Sequence, residues 1–296
     1  MRHKHPCVFG EVLFDCFPSG EHVLGGAPFN VAWHLQAFGE APEFISRVGE
    51  DAEGKSILSA MQAWGMRTDG LQVDPELATG RVSISFAGGE PVYDIVHPCA
   101  YDAVAPVAAA HNCGLIYHGS LALRESSSRE SLSQLKAQCH ATVFVDVNLR
   151  SPWWEKDQVE GLLEDADWVK LNADEMLVLA PSCRAAEFVT RYHLQGLILT
   201  HGSDGAEIIA PDHDPIRIRP GKGVPVVDTV GAGDAFASVM LMGLLNGWPL
   251  ARTAERAQTF ASRMVGQRGA TVNDMSFYHD IMNAWQKGDQ EGFDDV

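Results

Sequence analysis

Positive charge is scarce in this chain. Its 22 Lys and Arg stand against 39 Asp and Glu, a formal net charge of −17. A surface that negative repels polyanions, which argues against nucleic acid and anionic membranes as partners. An anionic substrate would need a local positive site to enter. The six cysteines (Cys7, Cys16, Cys99, Cys113, Cys139, Cys183) form no C-x-x-C pair and have no His at zinc-motif spacing, so they read as reduced thiols filling a core. No run of 18 apolar residues is present, so no membrane-spanning helix is expected. Glu11 and Asp15 interrupt the apolar run behind the basic N-terminus, a poor signal peptide, and the expected location is the cytoplasm. Low-complexity linkers and long repeats are also missing, which argues for one unit over residues 1–296.

What is present alternates. From Gly114 onward, apolar strand runs (GLIYHGS, ATVFVDVN, DWVKLN, GLILTHG) are separated by helical segments. Near-continuous apolar strands are those of a parallel sheet covered by helices on both faces, and this is the α/β fold expected here. In such sheets ligands bind at the carboxyl ends of strands, where His118-Gly119-Ser120, Asp146-Val147-Asn148, Asn172 and Thr200-His201-Gly202 fall. Between Thr79 and Tyr101 the pattern becomes a β-hairpin turning at a Gly-Gly pair, with no helix beside it. That hairpin is expected to project from the main sheet.

Two glycine-rich segments compete for a phosphate. GEDAEGKS, residues 49–56, fits the nucleotide-binding pattern G-x-x-x-x-G-K-[ST], with a strand-like run before it and a helix-like run after it. Yet Glu50, Asp51 and Glu53 fill that loop with acids, which raises the cost of bringing a triphosphate there. DTVGAGDAF, residues 228–236, is the stronger candidate. Gly231, Ala232 and Gly233 expose backbone N–H groups where an apolar helix begins, an anion hole aided by the helix dipole. Asp234 puts a carboxylate beside that hole. For plain phosphate binding this is poor design; for a general base acting on an alcohol that attacks phosphorus it makes sense.

On these residues the chain resembles the PfkB (ribokinase-like) carbohydrate kinases. Residues 228–234 match their second signature, and GGAPFNVAWHLQAFG, residues 25–39, their first. Asp15 in the opening strand, G-x-D-x-x-G at 49–54, DVNLR, NADE and THGSDG follow in the family's order. The resemblance implies a ribokinase-like fold with lid elements at about 11–25 and 79–101, and ATP and Mg²⁺ as co-substrate and cofactor. It implies Asp234 as base, Gly231, Ala232 and Gly233 as anion hole, and Arg150 facing the transferring phosphate. Asp15, Gly25, Gly26 and Asn30 would hold sugar hydroxyls. Asn172, Thr200, Gly202, Gly205 and Gly233 would line the nucleotide site, with Glu175 holding Mg²⁺ through water. Asp228 would lie beside a monovalent cation (K⁺) near Gly269, and two copies would pair through the lid. On this reading Asp51 caps a helix that Lys55 and Ser56 simply begin.

Within the family the chain looks most like fructokinases, which implies fructose as acceptor. Its lid segment YDIVHPCAYDAV, residues 93–104, departs from the fructokinase form and leaves the sugar open. A 2-keto-3-deoxygluconate, ribose or nucleoside kinase is the nearest rival, with Arg81 and Arg124 available for a substrate carboxylate. A non-catalytic sugar-binding regulator is a rival of another class.

Overall fold

The computed structural model describes residues 4–87, 90–107, 112–211, 213–221 and 225–291. In chain order its strands are β1 (His5–Phe9), β2 (Leu13–Cys16), β3 (His22–Gly25), β4 (Glu43–Gly49), β5 (Leu71–Asp74), β6 (Gly80–Ala87) and β7 (Glu90–Ile95), then β8 (Cys113–His118), β9 (Thr142–Asp146), β10 (Trp168–Asn172), β11 (Gly196–Thr200), β12 (Ala206–Ile209) and β13 (Ile216–Ile218). The helices are α1 (Ala27–Ala37), α2 (Ala52–Ala63), α3 (Ser126–Gln138), α4 (Lys156–Glu164), α5 (Ala173–Leu179), α6 (Ala185–Arg191), α7 (Ala232–Asn246), α8 (Leu250–Val265) and α9 (Met275–Glu291).

The large sheet runs β13-β12-β11-β10-β9-β8-β1-β4-β5. Every pair from β5 to β11 is parallel, and only β12 and β13 turn back antiparallel. Along β1, alternate side chains enter opposite layers. Val8 packs with Phe29, Phe236 and Phe260 from α1, α7 and α8, while Cys7 and Phe9 pack with Leu132 and Leu135 of α3. Helices therefore cover both faces, as the apolar strand runs predict.

The second sheet, β3-β2-β6-β7, is small. Here the sequence reading needs a correction. Asp15 does not lie on the opening strand of the main sheet, because the apolar run 7–12 ends early: β1 stops at Phe9, and Asp15 sits on β2. The chain leaves the main sheet at Gly10, where an added Cβ would lie 2.4 Å from Pro28 Cγ. The hairpin expected over 79–101 forms as β6–β7, with Val82 paired to Ile95 and Ala87 to Glu90; its Gly88-Gly89 turn lies outside the described residues.

The GEDAEGKS segment is a helix entry and not a phosphate cradle. Asp51 caps α2 by accepting from the Gly54 amide (2.7 Å), and also accepts from the Thr79 amide (2.8 Å) and hydroxyl (2.7 Å). An added Cβ at Gly54 would lie 2.2 Å from the Gly49 carbonyl oxygen, so this glycine serves close packing. The amide a phosphate would need is already taken by a carboxylate, and Lys55 is exposed on the helix surface.

Candidate active site

The site is built at the carboxyl ends of the central strands, against the start of α7. Gly231 is the residue before the helix, with φ 78° and ψ −3°, and an added Cβ would meet Ala270 Cα at 2.5 Å. Both the left-handed backbone and the close approach require glycine there. The first helical bond runs from the Ala235 amide to the Gly231 carbonyl (2.9 Å), so the amides of 232–234 precede the helical ladder. Ala232 is partly used in a long turn bond to Thr229 (3.4 Å), while Gly233 is exposed. Of the three residues read from the sequence as an anion hole, Gly231, Ala232 and Gly233, the last is the most open to solvent.

Asp234 is in the first turn of α7 and half-buried. Burial pushes its carboxyl up to about 6. The Asn30 bond opposes that rise, Asp146 adds to it, and Lys170 and Arg150 oppose it. Asn30, buried on α1, donates from Nδ2 to Asp234 Oδ2 at 2.8 Å, while its own Oδ1 is buried without a partner. The residue that the resemblance places at the sugar hydroxyls thus also holds the acid. Gly26 starts α1 with φ 108°, and an added Cβ would lie 2.7 Å from the Glu11 carbonyl oxygen, so this glycine lets the first-signature loop lie on the chain behind β1. Gly25 faces Asp15, whose Oδ2 is 3.6 Å from where a Cβ would stand. Burial raises the Asp15 carboxyl and Arg150 opposes it. The exposed Arg150 lowers the carboxyls of Asp15, Glu11 and Asp234 alike, so one guanidinium serves acids from the small sheet, the chain after β1 and α7.

Two functional-looking groups escaped the sequence reading. Lys170 on β10 is buried and donates to both oxygens of Asp146, its register partner on β9, at 2.9 and 2.8 Å. Burial alone would drive the proton off, but Asp146 outweighs it and keeps the ammonium charged. Its Nζ lies 3.4 Å from where a Cβ on Gly233 would stand, so a full positive charge backs the amide turn. Tyr117 donates to Asp146 Oδ2 at 3.1 Å. The available signal was a lysine inside an apolar buried strand, DWVKLN. Glu11 is the second: 3% exposed, with Oε2 lacking any partner. Burial pushes its carboxyl up to about 7, against its own backbone amide, Arg150 and the Ala122 amide, with Asp234 adding to the rise. An acid breaking the run FGEVLF was visible, but served only to discount a signal peptide.

The remaining predicted residues lie along the next strands. Asn172 ends β10 beside its register partner Thr200 on β11. Asn172 and Glu175 form a reciprocal cap of α5: Glu175 Oε2 accepts from the Asn172 amide and Oε1 from the Leu149 amide, both at 2.8 Å. One lone pair on each oxygen remains, which fits a cation held through water better than one held directly. Gly202 (φ 55°) and Gly205 (φ 96°) shape the turn into β12, and an added Cβ at Gly205 would lie 1.9 Å from the Ile218 carbonyl oxygen. Asp228 accepts from the Val230 and Gly269 amides, each at 3.0 Å, tying the loop before the anion hole to the Gly269 loop.

The two arginines available for a sugar-acid carboxylate are committed elsewhere. Arg124 is bonded to both Asp102 oxygens (2.7 and 2.8 Å) and stacked on Trp153, and Arg81 is paired with Glu53. Among the described residues, no helix is long and apolar enough to cross a membrane.

A mainly parallel sheet, an amide turn at a helix start with an acid in it, and a small sheet carrying a second acid define a ribokinase-like fold. Comparison with known proteins supplies the family. The profile of the pfkB family carbohydrate kinases matches residues 13–276, and the chain belongs to that family. It is a carbohydrate kinase, a phosphotransferase with an alcohol acceptor. A fructokinase of Klebsiella pneumoniae is 30% identical over 295 residues, covering 89% of this chain and 94% of that one. Aminoimidazole riboside kinase from Salmonella enterica, complexed with aminoimidazole riboside and an ATP analog, superposes with a TM-score of 0.79 at 25% identity, covering 95% and 99%. The fold is also that of the fructokinase from Vibrio cholerae O395 in its fructose, ADP and calcium ion bound form: TM-score 0.80, 22% identity, 93% and 98% covered.

Proposed function

We propose that the protein transfers the γ-phosphate of ATP to a hydroxyl of fructose, giving fructose 6-phosphate, with Asp234 as general base. The observation that carries this reading is a half-buried carboxyl raised to about 6, next to an open amide turn backed by the Lys170 charge. Such a base is mostly ionised at neutral pH yet still able to take a proton, which is what an attacking alcohol requires. Fructose is favoured over a sugar acid because Arg81 and Arg124 already have carboxylate partners, and over other sugars by the likeness to a fructokinase at 30% identity.

In this reading Asp15, Gly25 and Gly26 orient the sugar from the small sheet, while Asn30 aims the Asp234 carboxylate at the reacting hydroxyl. As that hydroxyl attacks phosphorus in line, Asp234 accepts its proton at the carboxylate oxygen not bonded to Asn30. The Gly233 and Asp234 amides take up charge on the phosphoryl oxygens; by comparison with oxyanion-hole donors, each is worth about 3 kcal/mol in the transition state. Arg150 stabilises the same charge from the opposite side. Asn172, Thr200, Gly202 and Gly205 line the nucleotide. Glu175, through water, would hold Mg²⁺, which neutralises phosphate charge when bound. Closure of the small sheet, the lid of this reading, excludes water that would otherwise be phosphorylated.

An ADP-release assay over fructose, ribose, ribosides and 2-keto-3-deoxygluconate tests the acceptor. Fructose should give the highest kcat/KM; a riboside exceeding it would favour a nucleoside-type acceptor instead. Asp234→Asn should cut turnover by about 10²–10⁴-fold, the usual yield of a positioned base. Calorimetry should show ATP still binding to that variant. Near-unchanged turnover would refute the assignment of the base.

A further inference from the structure

At the amino ends of the same strands, opposite the catalytic cleft, three metal-ligating side chains meet on one face. His5 and Cys7 are two apart on β1 and therefore point the same way. Glu43, the first residue of β4, is the register partner of Cys7, so its side chain emerges on that face too. The ring nitrogen, thiol and carboxylate of the three lie within 4.8 Å of one another, and His5 Nε2 is 3.4 Å from Glu43 Oε2. Cys113, the first residue of β8, is the register partner of His5, and its thiol lies beside that of Cys7; Cys139, just past α3, adjoins Cys113. Cys7 is fully buried and Glu43 nearly so, while the His5 ring keeps an edge to solvent. The face is that of α3, away from every residue assigned to the reaction.

From this geometry we infer a binding site for one borderline-soft divalent cation, of the Zn²⁺ class, formed by His5 Nε2, Cys7 Sγ and a Glu43 carboxylate oxygen. Nitrogen, sulfur and oxygen donors together are the set that such an ion takes and that Mg²⁺ avoids. Zinc–ligand bonds of roughly 2.0–2.3 Å set tetrahedral donors about 3.3–3.8 Å apart; the His5–Glu43 pair stands at 3.4 Å and every pair lies within 4.8 Å. Thiolate and carboxylate would balance the ion's two charges, the Cys7 proton leaving as the ion binds; the neighbouring Cys113 thiol donates to the Leu115 carbonyl oxygen (3.4 Å). Arg67, 3.8 Å from Glu43, has Asp69 as its nearer partner (2.5 Å) and can yield its place to the ion. Linear spacing conceals the site, since its donors come from strands separated by 36 residues of chain, from Cys7 to Glu43. A bound ion would staple β1 to β4.

Cobalt(II) is the probe, titrated into the reduced, chelator-treated full-length protein. One equivalent should give a thiolate-to-cobalt charge-transfer band that Zn²⁺ abolishes and excess Mg²⁺ does not. Cys7→Ser should remove the band; His5→Ala, at a partly exposed position, should keep it but weaken binding at least tenfold. Cys16→Ser serves as the control, because Cys16, His22 and Glu53 form the other compact donor group among the described residues. The inference is overturned if folded protein shows no band, if the band survives Cys7→Ser, or if it is lost in Cys16→Ser. Should Cys7→Ser fail to fold, unchanged affinity in His5→Ala overturns it as well. None of these readouts depends on phosphorylation, so failure here leaves the kinase reading untouched.

Discussion

Removing the Asn30 side chain should move the acid limb of the pH–rate profile. The Nδ2–Oδ2 bond of 2.8 Å is the largest influence opposing the rise of the Asp234 carboxyl toward about 6. A hydrogen bond to a charged group is worth about 1.5–3 kcal/mol, and one pKa unit corresponds to about 1.4 kcal/mol, so Asn30→Ala should raise the base by roughly 1–2 units. At pH 7 a base titrating near 6 is about 90% ionised, whereas one moved to about 7.5 is only about 25% ionised. The assay is kcat/KM by coupled ADP release from pH 5 to 9.5, with saturating nucleotide. Wild-type activity should fall as pH drops through about 6, because the base must be unprotonated. The Asn30→Ala limb should fall near 7–8, with much of the rate recovered at pH 9. A lost sugar contact alone would raise KM at every pH and leave the limb in place. An unmoved limb with a uniform loss would refute the claim that Asn30 sets the ionisation of the base.

Lys55→Ala should leave ATP affinity and turnover within about twofold, measured by calorimetry and ADP release, since Lys55 is exposed and Asp51 already occupies the Gly54 amide. Gly231→Ala should be inactive and destabilised in urea melts by more than about 1 kcal/mol, because the left-handed backbone (φ 78°) and the 2.5 Å approach to Ala270 both reject a Cβ. Glu11→Gln should stabilise the fold increasingly with pH. A folded-state carboxyl raised from 4.5 to about 7 favours folding while protonated, and that advantage is lost as pH rises through 7. The gap should widen by up to roughly 3 kcal/mol between pH 5 and 8; a gap independent of pH would show that Glu11 is not titrating there.

The parts of the site legible in the sequence were those where function demands a backbone conformation. Gly231, Gly26 and Gly205 leave letters because no other residue fits a positive φ at a close approach. Both signatures could be read for that reason, and Asp51 could be read as a cap and not as part of a phosphate loop. Positions fixed by three-dimensional register were less visible. Lys170 reads as an anomaly in an apolar strand until β10 is laid on β9 and its ammonium meets Asp146. Arg124 seemed available to a substrate until the fold buried it against Asp102. The helices α8 and α9, whose buried residues join the core on one face of the sheet, went unread because no signature motif marks the segments holding them. Asp15 was assigned to the wrong strand because one apolar run feeds two sheets, and nothing local marks the break except Gly10.

The balance of charge in the cleft links these residues. Five acids converge there, Glu11, Asp15, Asp146, Asp234 and Glu175, with Arg150 lowering the carboxyls of Glu11, Asp15 and Asp234 and Lys170 those of Glu175 and Asp234. Lys170 is matched by Asp146, which leaves Arg150 to face Glu11, Asp15 and Asp234. A chain carrying a net charge of −17 could not draw a nucleoside triphosphate into such a site by its overall field. On the proposed reading the attraction is local and directional, from the Gly233 amide turn, the start of α7 and the ammonium behind it. Burial chiefly keeps the Asp234 carboxyl high, and Asp146 adds to that pressure. On the proposed reading, the negative charge of a bound polyphosphate adds to that pressure and makes Asp234 a stronger proton acceptor when its partner is in place. Arg150 works against that pressure through its own positive charge, and its exposure lets a phosphate compete for it. A phosphate that draws Arg150 away from Asp234 would thereby raise the basicity of the group we propose removes the proton.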